Sequence, residues 1–313
     1  MTALRATWFE DLVVVPRHAC LYDTAGRRVD GTVHLRNGRA VRRTPERVEL
    51  PRITDRIREP VVYGGHLPKH FGHFLLESLV RTWVYPMLRP GPLPFVHFRE
   101  KFHLHEEDLL DAALRPYGAA PQAVLGPTLL QSVLVPEQGA EFDHIVQDEM
   151  RAVYDGIRDT LAGRDLPASD TPLYLSRSRL GRDHRSTLGE RSLERRLAQE
   201  GIDVIHPQEL PLAEQIAAVS AARTVVGLHG TALHLTLFRD LERSRTLALG
   251  PRRAHRPQVT IDRFRGAQHR HLHVTWPLHP RLPGLFGGRA LELGPYRDLV
   301  LPHPAARRVL RAL

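Results

Sequence analysis

A histidine with a carboxylate one helical turn away is the first group in the sequence that could do chemistry. His73, Glu77 and Arg81 stand four residues apart, so on a helix they would share one face. A carboxylate beside an imidazole orients the ring and raises its basicity, as a general base requires. The same spacing also suits a solvated polar stripe with an ion pair, and the sequence leaves both interpretations open.

The second such group is the turn at His229, Gly230 and Thr231. It follows a β-branched segment, residues 224–227, that predicts a buried parallel strand. We expect Thr231 to cap a following helix, whose free N–H groups would form a seat for a phosphate or diphosphate. An ordinary strand-to-helix turn with two glycines is the alternative.

The elements around this turn alternate between strand and helix. Short apolar strands are predicted at residues 173–176, 204–205, 224–227 and 246–249, with helices between them. This alternation predicts a parallel, doubly wound sheet, in which ligands lie beyond the carboxyl ends of the strands. Arg177 and Arg179 follow the first of these strands and His229 follows the third. We therefore expect a diphosphate between them.

The first half of the chain predicts a β-rich start and then the helix that carries His73. That helix is expected over residues 70–86, with a buried apolar face and Pro86 at its end. A capping box at Thr187 is expected to start a helix in the second half. The polar, proline-containing residues 163–172 predict a domain boundary, which gives domains 1–165 and 166–313. Further strands are predicted at residues 12–15, 19–22, 32–35, 61–63, 95–98 and 129–135, and helices at 106–115 and 145–161.

Composition narrows the class of partner. The 313 residues carry a net charge of +9, and the only lysines are Lys69 and Lys101. Arginine binds phosphates and carboxylates through two parallel hydrogen bonds, so an anionic partner is expected, unless the bias reflects the genome's codon usage. The arginines are scattered beside acidic residues and not interleaved with aromatics, which argues against nucleic acid.

The single cysteine, Cys20, excludes internal disulfides and a thiolate metal cluster. The sequence shows no apolar run of membrane-spanning length and no signal-peptide pattern at its start, so a cytoplasmic protein is expected. Nucleotide-binding, nucleophile-elbow and zinc-protease motifs are missing, as is Asp-x-Asp, so we expect no metal ion on the diphosphate. His269, His271 and His273 alternate along one predicted strand, but no carboxylate at a telling spacing supports a metal site there.

Four segments follow in order between about residues 60 and 250: GHFLLESLVRTW (72–83), YLSRSR (174–179), PQELPLAEQI (207–216) and VVGLHGTALHLTLF (225–238). Together they resemble glycosyltransferase family 61 of the bacterial capsular-polysaccharide type. The resemblance implies an α/β, GT-B-like fold, with two Rossmann-like domains facing across a cleft. It also implies inverting transfer from a nucleotide-sugar, without a metal ion or other cofactor.

The resemblance also assigns roles to residues. It implies a catalytic His73 oriented by Glu77. Two departures are visible: Ala232 and Leu235 replace the small residue and the asparagine that the family usually has, and Ala248 lies in a strand that commonly carries an acid. The donor-binding residues that follow from the matched motifs and the predicted sheet are Arg177, Arg179, Glu214, His229, Gly230 and Thr231.

The sequence therefore predicts a glycosyltransferase with an acceptor-side first domain and a donor-binding second domain. Its expected partners are a nucleotide-sugar donor and a glycan or lipid-linked acceptor, with peripheral membrane association through the basic surface and no nucleic acid. Two alternatives stay open. One is a non-catalytic relative that binds sugar-nucleotides or glycans, and the other is a binder of nucleic acid or anionic surfaces, suggested by charge alone.

Overall fold

The fold is that of a mixed α/β protein in two compact units, Met1–Leu161 and Ala162–Leu313. Among the described residues, no helix is both long and apolar enough to cross a bilayer. The computed structural model describes residues 3–68, 70–88, 91, 93–98, 102, 105–180, 187–277, 299–300 and 305–313.

The first unit is built on a seven-stranded mixed sheet. The unit contains the strands β1 (Ala6–Val15), β2 (Cys20–Tyr22), β3 (Leu35–Arg36), β4 (Arg39–Ala40), β5 (Asp55–Ile57), β6 (Val61–Gly65), β7 (Phe95–His97), β8 (Pro121–Ala123), β9 (Thr128–Pro136), β10 (Ala140–Glu141) and β11 (Ile145–Val146), of which β3 with β4 and β10 with β11 form separate two-stranded sheets. Its helices are α1 (Phe71–His73), α2 (Glu106–Leu114) and α3 (Met150–Leu161). The strand order is β2-β1-β9-β6-β7-β8, and β5 also pairs with β9.

Both faces of the central strand β1 are buried at its carboxyl end. Leu12 and Val14 pack into one apolar cluster, while Val13 and Val15 pack into another on the opposite face. Burial on both sides explains why the strand is continuously apolar there and does not alternate with polar residues. β1 runs antiparallel to β2 and β9, whereas β6, β7 and β8 are parallel to one another.

The predicted helix over residues 70–86 is not one α-helix. After α1 the chain forms a π-helical turn at Phe74–Ser78, and a 3₁₀ helix at Thr82–Met87 contains Pro86. The predicted apolar face is buried, but so is Arg81, which donates to the carbonyl oxygens of Gly31 and Pro136. The interpretation of a solvated polar stripe is therefore wrong.

The second unit confirms the predicted parallel sheet. Its strands are β12 (Leu173–Leu175), β13 (Thr187–Leu188), β14 (Asp203–Ile205), β15 (Thr224–Leu228), β16 (Arg245–Gly250), β17 (Gln268–His273), β18 (Trp276–Pro277) and β19 (Leu299–Val300). Its helices are α4 (Glu190–Gln199), α5 (Leu212–Ala221), α6 (Arg256–Arg265) and α7 (Ala305–Leu310). Five parallel strands run in the order β14-β12-β15-β16-β17, and β13, β19 and β18 form a separate small sheet.

This strand order has a topological switch point between β12 and β15. From β12 the chain goes to β14 on one side and then crosses back to β15 on the other side. Helices that leave neighbouring strands in opposite directions open a crevice at the carboxyl ends of those strands, where ligands of open α/β sheets bind. The sheet thus favours a ligand beside Arg177 and His229.

Helical segments cover both faces of this sheet. Val226 and Leu228 pack with Leu193 of α4 and Val309 of α7. On the other face, a Cβ placed on Gly227 would lie 3.0 Å from the Leu233 side chain, so a 3₁₀ helix lies tightly against the backbone of β15.

Several local predictions are wrong. Of residues 32–35, only Leu35 lies in a strand, because a 3₁₀ turn at Asp30–Thr32 precedes the β3–β4 hairpin. Residues 145–146 belong to β11, so α3 begins only at Met150. Thr187 lies in β13 and forms no capping box, since Gly189 precedes the first residue of α4.

Candidate active site

In the first unit, the candidate site is the predicted pair of His73 and Glu77. The Nδ1 atom of His73 lies 2.9 Å from Oε2 of Glu77. The Glu77 side chain is completely buried, whereas the His73 side chain is 28% exposed. A substrate can therefore reach the imidazole, while the carboxylate is shielded behind it.

The Glu77 carboxylate is held by further donors. Arg36 from strand β3 binds it through two hydrogen bonds, from Nε to Oε1 at 2.5 Å and from Nη2 to Oε2 at 2.7 Å. His34 contributes Nε2 at 3.9 Å from Oε1. Burial raises the pKa of Glu77, but the neighbouring His34, His73 and Arg36 lower it by a larger amount. The net pKa therefore lies well below the ordinary value. Glu77 is thus an anion at neutral pH.

The charge of Glu77 determines the tautomer of His73. An ionised carboxylate only accepts hydrogen bonds, so the contact with His73 requires a proton on Nδ1. Arg36 Nη2 also lies 3.2 Å from this nitrogen, but its stronger bond goes to the carboxylate at 2.7 Å. A neutral His73 with Nδ1 protonated carries its lone pair on Nε2. That atom can accept a proton from a hydroxyl group.

The plane of the His73 ring is set by an aromatic neighbour. Phe142 stacks on the imidazole, with ring centroids 4.2 Å apart and an interplanar angle of 25°. The guanidinium of Arg36 lies over the same phenyl ring, 5.6 Å from its centroid. The imidazole is therefore fixed both by its hydrogen bond and by stacking, which preorganises a base.

In the second unit, Arg177 connects the carboxyl ends of β12 and β15, as the sequence predicts. Its Nη1 donates to the backbone oxygen of His229 at 3.0 Å, and Nη2 donates to Thr187 Oγ1 at 3.4 Å. The buried carboxylate of Glu190 accepts from the Arg177 backbone N–H at 2.8 Å. The guanidinium is thus positioned at the switch point, where it can meet an anionic ligand.

His229 belongs to a chain of neutral imidazoles. His271 Nε2 donates to the Pro251 carbonyl oxygen at 2.8 Å, so His271 Nδ1 must accept from His229 Nε2, 3.1 Å away. Burial and the neighbouring His271, His255, His269 and Arg177 lower the pKa of His229 to about 3. Burial, and to a smaller extent His269 and His273, lower the pKa of His271, although its hydrogen bonds to the backbone of Pro251 and Ala248 act in the opposite direction. His229 therefore carries no positive charge at neutral pH.

Two glycines make room for this arrangement. Gly230 has a φ of 148°, and a Cβ there would lie 2.8 Å from Arg177 Nη1. A Cβ on Gly250 would lie 2.5 Å from the His229 ring. Each glycine allows a functional side chain to lie directly against the backbone, which no larger residue permits.

The other predicted donor-binding residues, Arg179, Thr231 and Glu214, are all exposed. Arg179 is exposed and pairs with Glu209, with Nη1 and Oε2 2.6 Å apart. Thr231 is exposed and begins the 3₁₀ helix Thr231–Phe238, which Gly230 precedes without a side-chain cap, so the predicted capping role is wrong. Glu214 is exposed in the first turn of α5 and, within the described part of the chain, its side chain makes no hydrogen bond or ion pair.

The residues at which the sequence departs from the family pattern are buried. Leu235 and Ala248 are both 0% exposed, so they pack in the interior and present no side chain to solvent. His269 bonds through Nδ1 to Oδ2 of the buried Asp262 at 2.7 Å. In the described residues, no three metal-ligating side chains are grouped as they would be around an ion.

Three residues of the two sites were missed by the sequence analysis. Arg36 has no predicted role, Thr187 is predicted as a cap, and His271 is considered only as a metal ligand. A local signal for the hairpin that carries Arg36 is present, because Asn37-Gly38 is a favoured two-residue hairpin turn. No local pattern indicates that Thr187 contacts Arg177, or that His271 contacts His229.

Comparison with known proteins supports the resemblance noted in the sequence. A family model described as Glycosyltransferase 61 matches residues 71–247, which is more than half of the 313 residues. No relative among curated proteins matches the chain. The matched span contains His73, Glu77, Arg177 and His229, whereas Arg36 and His271 lie outside it.

Proposed function

We propose a reaction for this chain, which belongs to glycosyltransferase family 61 and is therefore a glycosyltransferase. The protein moves a sugar from a nucleotide-sugar to a hydroxyl group of an acceptor, with inversion at the anomeric carbon. The observation that carries this proposal is the geometry around His73: a partly exposed imidazole bonded to a buried, ionised Glu77.

In the proposed step, the acceptor hydroxyl loses its proton to Nε2 of His73 as its oxygen attacks the anomeric carbon. The bond from that carbon to the phosphate oxygen breaks on the opposite face, and the nucleoside diphosphate leaves with the bonding pair. Glu77 stabilises the imidazolium that forms, because it is already an anion. Arg36 keeps the carboxylate oriented by donating hydrogen bonds to it, and Glu77 stays ionised because no proton is transferred.

The donor side of the proposal rests on Arg177 and the turn at residues 229–231. The guanidinium of Arg177 and the backbone N–H groups of Gly230 and Thr231 stabilise the charge that develops on the leaving diphosphate, whereas the His229 N–H already bonds the carbonyl oxygen of Leu249. Because His229 is neutral and its Nε2–H is engaged by His271, its role is to shape the turn, and Arg177 supplies the positive charge. Glu214 contacts the nucleoside, and Arg179 and Thr231 complete the donor site.

The remaining parts of the proposal follow from the resemblance. The GT-B arrangement, with an acceptor-side first domain and a donor-binding second domain, is part of it. So are independence from metal ions, a glycan or lipid-linked acceptor in surface-polysaccharide synthesis, and a cytoplasmic location with peripheral membrane contact. Binding of nucleic acid is not part of it.

Two alanine variants test the proposal. A thermal-shift screen of nucleoside diphosphates and their sugars first identifies the donor, because a bound ligand raises the melting temperature. Release of the nucleoside diphosphate from that donor is then measured with an acceptor panel. His73→Ala should lower turnover by about 100-fold or more with donor affinity unchanged, since it removes the base. Arg177→Ala should weaken donor binding about tenfold or more, since it removes a charge-assisted contact.

The matched control is His70→Ala, which removes an exposed histidine three residues before His73. This variant should turn over at the wild-type rate. Full activity of His73→Ala would eliminate the proposed base, and unchanged donor affinity of Arg177→Ala would eliminate the proposed diphosphate contact.

A further inference from the structure

A large share of the positive charge lies in one segment, which begins next to the proposed base. Residues 35–58 contain eight arginines against three carboxylates, in a chain whose net charge is +9. More than half of the net charge therefore comes from a segment of 24 residues. The segment begins at the β3–β4 hairpin, which carries Arg36.

The hairpin is held rigidly. Its turn uses left-handed backbone at Asn37, with a φ of 51°, and at Gly38, with a φ of 69°. The Gln138 side chain bonds the backbone of Leu35 in both directions, at 2.7 and 3.2 Å, and Glu141 accepts from the Gly38 N–H at 2.8 Å. Side chains on a fixed hairpin lose less conformational entropy when a ligand orders them.

Two further arginines of the segment lie on the surface around Glu77. Arg39 is the cross-strand partner of Arg36, so the two side chains share one face of the hairpin. Arg42 Nη2 lies 3.4 Å from His66 Nε2. The His66 ring lies 6.4 Å from the ring of His34, which in turn contacts the Glu77 carboxylate.

Arg39 and Arg42 differ in their partners from two other arginines of the first unit, Arg27 and Arg151. Arg27 pairs with Asp23 at 2.8 Å, and Arg151 pairs with Asp148 at 3.2 Å. Arg39 and Arg42 are exposed and, among the described residues, form no ion pair with a carboxylate.

The carboxylates near the hairpin are already engaged. Glu77 is bound by Arg36 through two hydrogen bonds, and Glu141 accepts from the Gly38 N–H. Asp143 interacts electrostatically with Arg36. The two guanidinium groups of Arg39 and Arg42 therefore remain available to an external anion.

We propose that Arg39 and Arg42 bind a phosphate or diphosphate group of the acceptor, next to the hydroxyl group that His73 deprotonates. This inference rests on the proposed function and names the chemical class of its acceptor. Guanidinium groups bind phosphate through paired hydrogen bonds, and two of them suit a diphosphate better than a single carboxylate. The shared chemistry fits a sugar phosphate in solution and a lipid-linked diphosphate.

Inorganic pyrophosphate is a probe that needs neither the donor nor the sugar transfer. The titration is carried out on Arg177→Ala protein, so that the proposed donor site does not contribute. The NMR signals of the His66 and His73 ring protons report binding near the hairpin. With Arg39→Gln and Arg42→Gln together, the dissociation constant should rise about tenfold or more, because two charge-assisted contacts are lost. With Arg27→Gln and Arg151→Gln together, it should change less than about twofold, because these arginines are paired elsewhere.

Further ligands distinguish the two sources of the phosphate. Glucose 1-phosphate represents a soluble acceptor and farnesyl diphosphate a lipid-linked one; competition of either with pyrophosphate supports the proposal, and the tighter competitor identifies the source. Vesicles of phosphatidylcholine with phosphatidylglycerol test a membrane surface. Loss of vesicle binding in Arg39→Gln/Arg42→Gln with unchanged pyrophosphate affinity would overturn the proposal in favour of a membrane contact. Equal pyrophosphate affinity in both double variants, without any vesicle effect, would overturn it as well, while the His73 test would stand unaffected.

Discussion

His73 and His229 are both predicted site histidines, and each bonds through a ring nitrogen to one dominant partner, but the partners differ in charge. The partner of His73 is the ionised Glu77, at 2.9 Å, with Arg36 behind it. The partner of His229 is the neutral His271, at 3.1 Å; burial, and then the surrounding histidines and Arg177, lower the pKa of His229 to about 3. His73 thus faces an anion, whereas His229 is surrounded by neutral rings and a guanidinium.

The comparison shows that neighbours, and not residue type, assign the chemistry of a histidine. A ring beside an anion can take a proton during a reaction and return it afterwards. A ring beside a neutral imidazole and a guanidinium stays uncharged, so it can shape a backbone turn without competing with Arg177 for the ligand. Three experiments test this contrast.

The largest effect is expected when the anion beside His73 is neutralised. Glu77→Gln keeps the size of the side chain but removes the charge that stabilises the imidazolium. Turnover should fall on the order of 100-fold, because the base loses both its orientation and its electrostatic support. The measurement is kcat together with its pH profile.

Glu106→Gln is the control for this variant, since Glu106 is also completely buried in the first unit but lies in α2. Its melting temperature reports the cost of changing a buried carboxylate, and its kcat should equal that of the wild type. If Glu77→Gln keeps the wild-type rate, the contrast between the two histidines has no catalytic meaning.

A smaller effect is expected from crowding His229. The methyl group of Gly250→Ala would lie 2.5 Å from the imidazole, so the ring or strand β16 must move. We expect the free energy of unfolding to fall by about 1–3 kcal/mol, as in overpacked cores. Donor affinity should fall about tenfold, because the turn that bonds Arg177 shifts. Chemical denaturation and donor titration measure the two effects.

Gly156→Ala serves as the matched substitution, because a Cβ at that position in α3 meets open space. It should leave donor affinity unchanged and raise stability slightly, as alanine favours helix. Equal behaviour of the two alanine variants would show that His229 does not depend on Gly250.

The smallest effect is expected from the titration of His229. In the unfolded chain its pKa is near 6.5, whereas in the folded protein it is about 3. Between these values the unfolded state binds more protons, so the free energy of unfolding decreases as the pH falls from 6.5 toward 3. Urea unfolding at a series of pH values should show a shallower decrease for His229→Gln, by at most about one proton. Identical slopes for the variant and the wild type would mean that the folded imidazole is not kept neutral.

The sequence predicts those features that lie within one element or follow from sheet topology. His73 and Glu77 are one turn apart, so their contact needs only a local helix. Arg177 and His229 are 52 residues apart, but each follows a strand of a parallel sheet, and the carboxyl ends of such strands share one edge. Both predictions required periodicity and spacing alone.

Other contacts escape this kind of reasoning because no periodicity links the partners. Arg36 precedes Glu77 by 41 residues, and His271 follows His229 by 42. Arg81 was expected in a polar stripe with His73 and Glu77, yet the π-helical turn and the burial of the following segment turn it toward backbone carbonyls. Apolar spacing cannot distinguish an α-helix from one that is interrupted by a wider turn.

The hairpin with Arg36 and Arg39 lies upstream of the residues that define the family in this chain, and strand β17 with His271 lies downstream. A polypeptide trimmed to the family-defining span would lack Arg36. The buried carboxylate of Glu77 would then have lost its main counter-ion, which is strongly destabilising. It would also lack strand β17, at one edge of the parallel sheet, and with it His271, the imidazole that bonds His229. The shortest polypeptide that retains these contacts is therefore longer than the family-defining span.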